Sequence, residues 1–107
     1  MSVFNLTTHL SEILEESNKH PVIIFKYSSR CAVSAQIKDD LERASAKQTL
    51  TFLVYIVTVQ TEPVLSDKIT EYFNIKHETP EIIIVNKGMV VYTAHHWNIK
   101  VENFVYQ

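Results

Sequence analysis

Two short apolar runs, each followed by a segment with helical spacing, constrain the fold of this chain more than any other feature. Residues 22–25 are all apolar, and residues 51–59 are rich in β-branched and aromatic side chains. Both runs predict strands that are buried on both faces. In residues 8–19 and 31–47, apolar side chains recur every three or four positions, which predicts helices. Strands joined by helices pair in parallel through right-handed crossovers, so the first half of the chain predicts an α/β fold.

The second half of the chain adds a helix and a hairpin. A third helical segment opens at residues 62–63, where proline is tolerated in a first turn. Apolar runs at 82–85 and 89–92 flank a turn that holds the only glycine, which predicts an antiparallel pair of strands. Asn98 is expected to cap a short last helix. The predicted order α-β-α-β-α-β-β-α gives a four-stranded mixed sheet with helices on both faces.

Length and charge limit the classes of partner. The chain has 107 residues without a linker or repeat, which predicts a single domain over 1–107. Its net charge is −2 and no stretch concentrates Lys and Arg, so neither nucleic acid nor a membrane is expected as a partner. No apolar run reaches the ~18 residues that span a bilayer, and the first residues lack the pattern of a signal peptide. A cytoplasmic location is therefore expected.

The single cysteine, Cys31, falls where a helix begins shortly after a buried strand. One cysteine cannot form an internal disulfide, so Cys31 is either a buried, inert side chain or an exposed, reactive thiol. At a helix start, unpaired backbone N–H groups and the helix dipole favour thiolate over thiol. Arg30 and Lys26 are expected to add positive potential. We therefore predict that Cys31 is a nucleophile with a depressed pKa.

Ser34 and the pair His95-His96 are further polar residues that could take part in chemistry. Ser34 is three residues further along the predicted helix, where its hydroxyl can donate a hydrogen bond to the sulfur. The same serine is also compatible with an ordinary first-turn residue. His95 and His96 are adjacent, but no third ligand has a recognisable spacing, so no metal site is predicted and a structural or surface role is favoured.

A strand, a cysteine at the start of the next helix, and Thr79-Pro80 before a hairpin are together similar to the thioredoxin fold. In that superfamily the proline is cis and packs opposite the cysteine. More narrowly, the chain resembles the monothiol bacilliredoxins of the bacillithiol system, a family built on a single Cys-x-x-Ser site. The segments that carry the resemblance are residues 25–34, 59–61, 65–66, 75–80 and 96–99.

Three positions depart from the usual pattern of that family. Proline usually follows the cysteine and histidine usually precedes the first serine, whereas this chain has Ala32 and Tyr27. Glu81 follows Pro80 where glutamine is expected. These departures bear on substrate preference more than on the fold.

The resemblance implies an enzyme that removes bacillithiol from protein mixed disulfides, with bacillithiol as co-substrate and without a cofactor. Its partners would be bacillithiolated client proteins and bacillithiol itself. Cys31 would attack the mixed disulfide, and a second thiol would regenerate it, because Ser34 cannot. Supporting and substrate-binding roles are expected for Ser34, Arg30, Ser28, Thr79 and Pro80.

Two other functions are compatible with the same residues. One is a monothiol glutaredoxin-like carrier of an iron–sulfur cluster, with Cys31 as a ligand. Glycine typically follows the cysteine in such proteins, and Ala32 argues against it. The other is a non-catalytic thioredoxin-like adapter that binds partners through the Pro80 region, in which Cys31 would be dispensable.

Overall fold

A computed structural model describes residues 4–5, 9–47 and 52–101 of the chain. Strands and helices alternate through most of this length, as the periodicity of the sequence predicts. In chain order the elements are β1 (Phe4–Asn5), α1 (Leu10–Ser17), β2 (Val22–Tyr27), α2 (Ala32–Ala46), β3 (Leu53–Thr58), α3 (Pro63–Phe73), β4 (Glu81–Asn86), β5 (Met89–His95) and a short 3-10 helix (His96–Asn98). The predicted ends of the elements lie within about two residues of these bounds, except that β5 continues to His95.

The five strands form one sheet in the order β1-β3-β2-β4-β5. Both β1 and β2 pair in parallel with β3, whereas β4 is antiparallel to β2 and β5 is antiparallel to β4. The predicted thioredoxin-like mixed sheet is thereby confirmed. β1 extends the sheet beyond the four predicted strands, because a strand of 2 residues is too short to show a periodicity.

Helices cover both faces of the sheet. Apolar residues on the α2 face are Ile23, Phe25, Ile37, Leu41, Ala44, Val54, Ile56, Ile82, Ile84, Ala94 and Ile99. Those on the face covered by α1 and α3 are Ile13, Val22, Ile24, Tyr55, Val57, Leu65, Ile69, Ile83 and Val85. Successive residues of β2 alternate between these two clusters, so this central strand is buried on both faces as predicted. Each such buried side chain contributes roughly 1.5–3 kcal/mol, which makes β2 a firm support for the loop that follows it.

The last predicted helix, which contains Ile99, Val101 and Phe104, lies partly outside the described residues. Within them, Asn98 ends the 3-10 helix rather than capping a helix, and Ile99 is extended. None of the helices in the described part of the chain is long and apolar enough to cross a membrane.

The turn between β4 and β5 is tied to the end of α1. Lys87 and Gly88 have φ values of 53° and 76°, and Asn86 pairs with Met89, so this is a two-residue turn with both central residues left-handed. Ser17 holds it in place: its carbonyl accepts the Lys87 N–H at 2.8 Å and its hydroxyl accepts the Gly88 N–H at 3.0 Å. The hairpin is therefore fixed at the end of the sheet farthest from Cys31.

The register of β2 and β4 brings the two halves of the predicted site to the same edge of the sheet. Lys26, near the carboxyl end of β2, pairs with Glu81, the first residue of β4. Pro80 therefore lies beside the end of β2, where the loop to Cys31 begins. The Thr79–Pro80 peptide bond is cis, which confirms that prediction.

Candidate active site at the start of helix α2

Cys31 is the N-cap of α2, where the chain changes from extended to helical. Its φ and ψ are −118° and 121°, and its carbonyl accepts the Ala35 N–H at 3.1 Å as a first helical hydrogen bond. The Cys31 N–H donates to the Ser28 carbonyl at 3.3 Å and closes a turn after β2. The side chain is half-buried. A partly exposed thiol at a helix start is the environment in which reactive cysteines are found.

Donors in the first turn of α2 lower the pKa of Cys31. The largest effect comes from the backbone N–H of Ser34; partial burial opposes it, and the Val33 N–H and the Ser34 hydroxyl add smaller effects. Cys31 makes no full capping hydrogen bond through its side chain, so these groups act as nearby dipoles. The direction is the one that the sequence predicts. Its causes are backbone and hydroxyl dipoles rather than a neighbouring charge.

Ser34 connects the sulfur to the loop that precedes it. Its side chain is fully buried, and its Oγ accepts the Ser28 N–H at 3.2 Å. Because a hydroxyl can accept and donate at once, the same group can also act on Cys31, where it helps to lower the pKa of the thiol. Ser34 therefore fixes the loop and favours the thiolate together.

Gln60 is a further residue of this site that the sequence did not single out as functional. Its Oε1 accepts the Ser29 N–H at 3.0 Å, and its Nε2 donates to Ser28 Oγ at 2.7 Å. Ser28 Oγ also accepts the Arg30 N–H at 3.3 Å. One amide group thus holds the loop between β2 and Cys31 from the side. Gln60 can do so because β3 runs parallel to β2, so the chain leaving β3 lies next to the chain leaving β2.

His96 holds the segment around Pro80. The backbone N–H of His96 donates to the Pro80 carbonyl at 3.0 Å, and the ring Nε2 lies 3.4 Å from Glu78 Oε2. His96 has a φ of 52°, a left-handed conformation that is uncommon outside glycine. Pro80 itself is buried and Thr79 is half-buried. The structural role favoured for His96 by the sequence is therefore visible in these contacts.

The two cations expected near Cys31 are placed differently from each other. Arg30 is exposed, its backbone belongs to the loop held by Ser28, and its charge is not among the causes that lower the pKa of Cys31. Lys26 points to the opposite face of the sheet from α2, where its Nζ donates to the Ser66 carbonyl at 3.1 Å. The expectation that Lys26 adds potential at the sulfur is therefore corrected: alternation along β2 directs it towards α3.

Tyr27 and Ala32, which differ from the usual residues of the resembled family, both fit the structure. Tyr27 is half-buried; its ring packs edge-on against Phe25, with centroids 6.0 Å apart. The ammonium of Lys38 lies 5.1 Å from the centroid of the same ring, within the range of a cation–π contact. Ala32, the first residue of α2, is exposed.

The described part of the chain was expected to hold no metal site. Within residues 4–5, 9–47 and 52–101, no group of three or more His, Cys, Asp and Glu side chains is arranged to hold a metal ion. The ring centroids of His95 and His96 are 5.7 Å apart, and the two rings are arranged edge to face.

A comparison with known protein families identifies the family to which the chain belongs. The model of the family described as "Monothiol bacilliredoxin BrxC" matches residues 4–104. The chain belongs to the monothiol bacilliredoxin family. Together with the thioredoxin fold, this membership makes the protein a thiol oxidoreductase.

Solved structures with a similar backbone agree with the thioredoxin fold. A protein described as having a thioredoxin fold is 26% identical, with a TM-score of 0.79 over 94% of this chain and 88% of that one. Oxidised thioredoxin from Plasmodium falciparum is 23% identical, with a TM-score of 0.67 over 89% and 86% of the two chains. A thioredoxin mutant from Halobacterium salinarum is 13% identical, with a TM-score of 0.70 over 94% and 82%. The last two similarities concern the fold alone.

Proposed function

We propose that this protein removes bacillithiol from protein mixed disulfides by a monothiol mechanism in which Cys31 is the nucleophile. The observation that carries the proposal is the arrangement of the thiol: the only cysteine of the chain caps α2, and donors of the first turn lower its pKa. Ser34 occupies the position where a dithiol enzyme has its second cysteine. The reaction must therefore proceed through a mixed disulfide with an outside thiol.

The reaction is a pair of thiol–disulfide exchanges. In the first, the Cys31 thiolate attacks the bacillithiol sulfur of the client mixed disulfide. The bond between that sulfur and the client cysteine breaks, and the client leaves as a thiolate that takes a proton from water. In the second, the thiolate of a free low-molecular-weight thiol attacks the bacillithiol sulfur now bound to Cys31. This step releases the Cys31 thiolate and a small disulfide.

The residues near Cys31 have distinct parts in this scheme. Thr79 and Pro80 lie beside the end of β2, where the loop to Cys31 begins, and their backbone is expected to align the client chain. Arg30 is exposed, directly precedes Cys31 in sequence, and offers a cation to an anionic group of the substrate. The Ser28 hydroxyl is already bonded to Gln60 and to the Arg30 N–H, so its part is to shape the loop rather than to touch the substrate.

Mass spectrometry of a bacillithiolated client protein tests the proposal. Wild type should release the client thiol and carry the mass of bacillithiol on Cys31 when no regenerating thiol is present. Cys31→Ser should be inactive, because attack requires the sulfur. Ser34→Ala should slow the reaction by roughly tenfold, because one hydrogen bond to a charged sulfur is worth about 1.5 kcal/mol.

The same assay separates the competing functions. A glutathionylated client shows whether the reaction is selective for bacillithiol. Full activity of Cys31→Ser would refute the enzymatic proposal and leave the adapter in its place. A brown protein with visible absorbance after anaerobic purification, inactive towards both clients, would favour the iron–sulfur carrier.

A further inference from the structure

A buried charged cluster lies under the Thr79–Pro80 segment, on the sheet face opposite α2. Lys26 has no exposed surface, although lysine is seldom fully buried without partners. Its Nζ donates to the Ser66 carbonyl at 3.1 Å, to Thr70 Oγ1 at 2.5 Å and to His77 Nδ1 at 3.2 Å. These three acceptors match the three N–H bonds of an ammonium group. Lys26 therefore ties β2 to α3 and to the segment that leads to Pro80.

Glu81 completes the cluster from β4. It is the cross-strand partner of Lys26 and is only 3% exposed. Its carboxylate interacts with the backbone N–H of Glu78, and one oxygen, Oε1, has no hydrogen-bond partner among the described residues. The segment between His77 and Pro80 is thus held by Lys26 through the His77 ring, and the Glu78 N–H lies close enough to the Glu81 carboxyl to lower its pKa.

The cross-strand pair of Lys26 and Glu81 lies at the end of β2 and β4 that is nearest the candidate active site. Further along the same face, the cross-strand pairs of β2 and β4 are apolar: Ile24 opposite Ile83, and Val22 opposite Val85. Two buried charges cost more to desolvate than such apolar pairs, so stability alone does not account for them. What Lys26 adds is a hydrogen bond to the ring of His77, in the segment that leads to Pro80.

We propose that Lys26 and Glu81 are positioning residues for the thiol–disulfide exchange, because they hold the Thr79–Pro80 segment in the orientation that receives the client mixed disulfide. The inference rests on the proposed function. Neither residue touches the reacting sulfur, and the donors that act on Cys31 belong to α2. Loss of Lys26 or Glu81 should therefore weaken substrate binding and leave the pKa of Cys31 unchanged.

The charge on Glu81 should make this positioning depend on pH. Burial raises the pKa of Glu81 to about 7, and the attraction of Lys26 and the Glu78 N–H oppose the rise. Lys26 faces Glu81 from β2, His95 faces it from β5, and the Glu78 carboxylate lies in the preceding segment. Asp67 on α3 acts on Lys26, whose Nζ also contacts His77. Above pH 7 the charged Glu81 attracts Lys26 and the Glu78 N–H most strongly, so substrate should bind more tightly there than at pH 6.

Lys26→Met tests the proposal, because it keeps most of the length of the unbranched side chain and removes its charge. We expect KM for the client mixed disulfide to rise about tenfold, equivalent to about 1.4 kcal/mol, while kcat changes less than about twofold. The pH midpoint of alkylation of Cys31 by iodoacetamide should not move. Lys68→Met, at an exposed position on α3, is the matched control and should leave KM unchanged.

Glu81→Gln gives an independent readout and serves also if Lys26→Met fails to fold by circular dichroism. In wild type, KM should rise as the pH falls from 8 to 6, whereas in Glu81→Gln it should be higher and nearly constant. An unchanged KM in a folded Lys26→Met, a wild-type pH profile in Glu81→Gln, or an altered alkylation midpoint would overturn the proposal.

The wild-type protein separates this inference from the proposed function. If wild type reduces a glutathionylated client but not a bacillithiolated one, the proposed function fails and the variants are measured on the glutathionylated client. If it reduces neither, both fail. If wild type is active and the variants match it, the positioning role alone is refuted.

Discussion

Replacing Glu81 by glutamine should change how the stability of this protein depends on pH. Burial raises the pKa of the Glu81 carboxyl from its ordinary value of 4.5 to about 7, against the opposing attraction of Lys26. Between these values the folded protein holds a proton that the unfolded chain has released. The stabilising contribution of the protonated group is therefore complete below pH 4.5 and is lost as the pH rises through about 7.

The size of this effect follows from the shift. At about 1.4 kcal/mol per pKa unit, a rise from 4.5 to about 7 corresponds to roughly 3 kcal/mol of unfolding free energy at high pH. Most of it, about 2–3 kcal/mol, should be lost between pH 5 and pH 8. Glutamine cannot ionise, so the variant escapes this loss. Relative to wild type, Glu81→Gln should therefore become progressively more stable as the pH rises.

Urea unfolding followed by circular dichroism at pH 5, 6, 7 and 8 measures the difference. Titration of other groups, including Cys31, occurs in both proteins and cancels from it. Glu71→Gln, which changes an exposed carboxylate on α3, is the control and should not reproduce the trend. A difference between wild type and Glu81→Gln that stays constant over this range would refute the reasoning.

Three further predictions follow from contacts at the two ends of the sheet. In wild type, the pH midpoint of thiolate absorbance should lie below the pKa of ~8.5 of a free cysteine, and Ser34→Ala should move it back towards that value because one donor is lost. A wild-type midpoint at or above that of free cysteine would contradict the structure. Gln60→Ala should slow mixed-disulfide reduction by about tenfold through loosening of the loop before Cys31, whereas an unchanged rate would show that the loop holds without it. Ser17→Ala leaves the Gly88 N–H without its acceptor and should lower the unfolding free energy by about 1–2 kcal/mol in urea, with activity retained.

The position of the reactive thiol could be predicted from sequence because its causes are local. The buried strand, the change to helical spacing and the residue at the boundary all lie within about ten residues of Cys31. The cis peptide before Pro80 was also predicted, but through a resemblance and not through local physics. The order of the elements was predictable from local sequence patterns, since each element shows its own periodicity.

The residues that hold the site in place were harder to predict because their partners are distant in sequence. Gln60 bonds to Ser28 across 32 positions, and this contact exists only because β2 and β3 are parallel neighbours. Lys26 was expected to act on Cys31, its neighbour in sequence, yet strand alternation turns it towards Thr70, 44 positions away. A buried charge in an apolar strand was the signal that could have revealed the cluster with Glu81.

The central place of β2 in the sheet has a consequence for how the protein is made. β2 has β3 on one side and β4 on the other, and β4 is synthesised after α3. A nascent chain that has reached the end of α3 already contains Cys31 and the helix that activates it, while the edge of β2 that receives β4 is still open. The Thr79–Pro80 segment has not yet been added at that stage. In order of synthesis, Cys31 and the loop before it therefore precede the Thr79–Pro80 segment, which completes this edge of the sheet only when β4 is added.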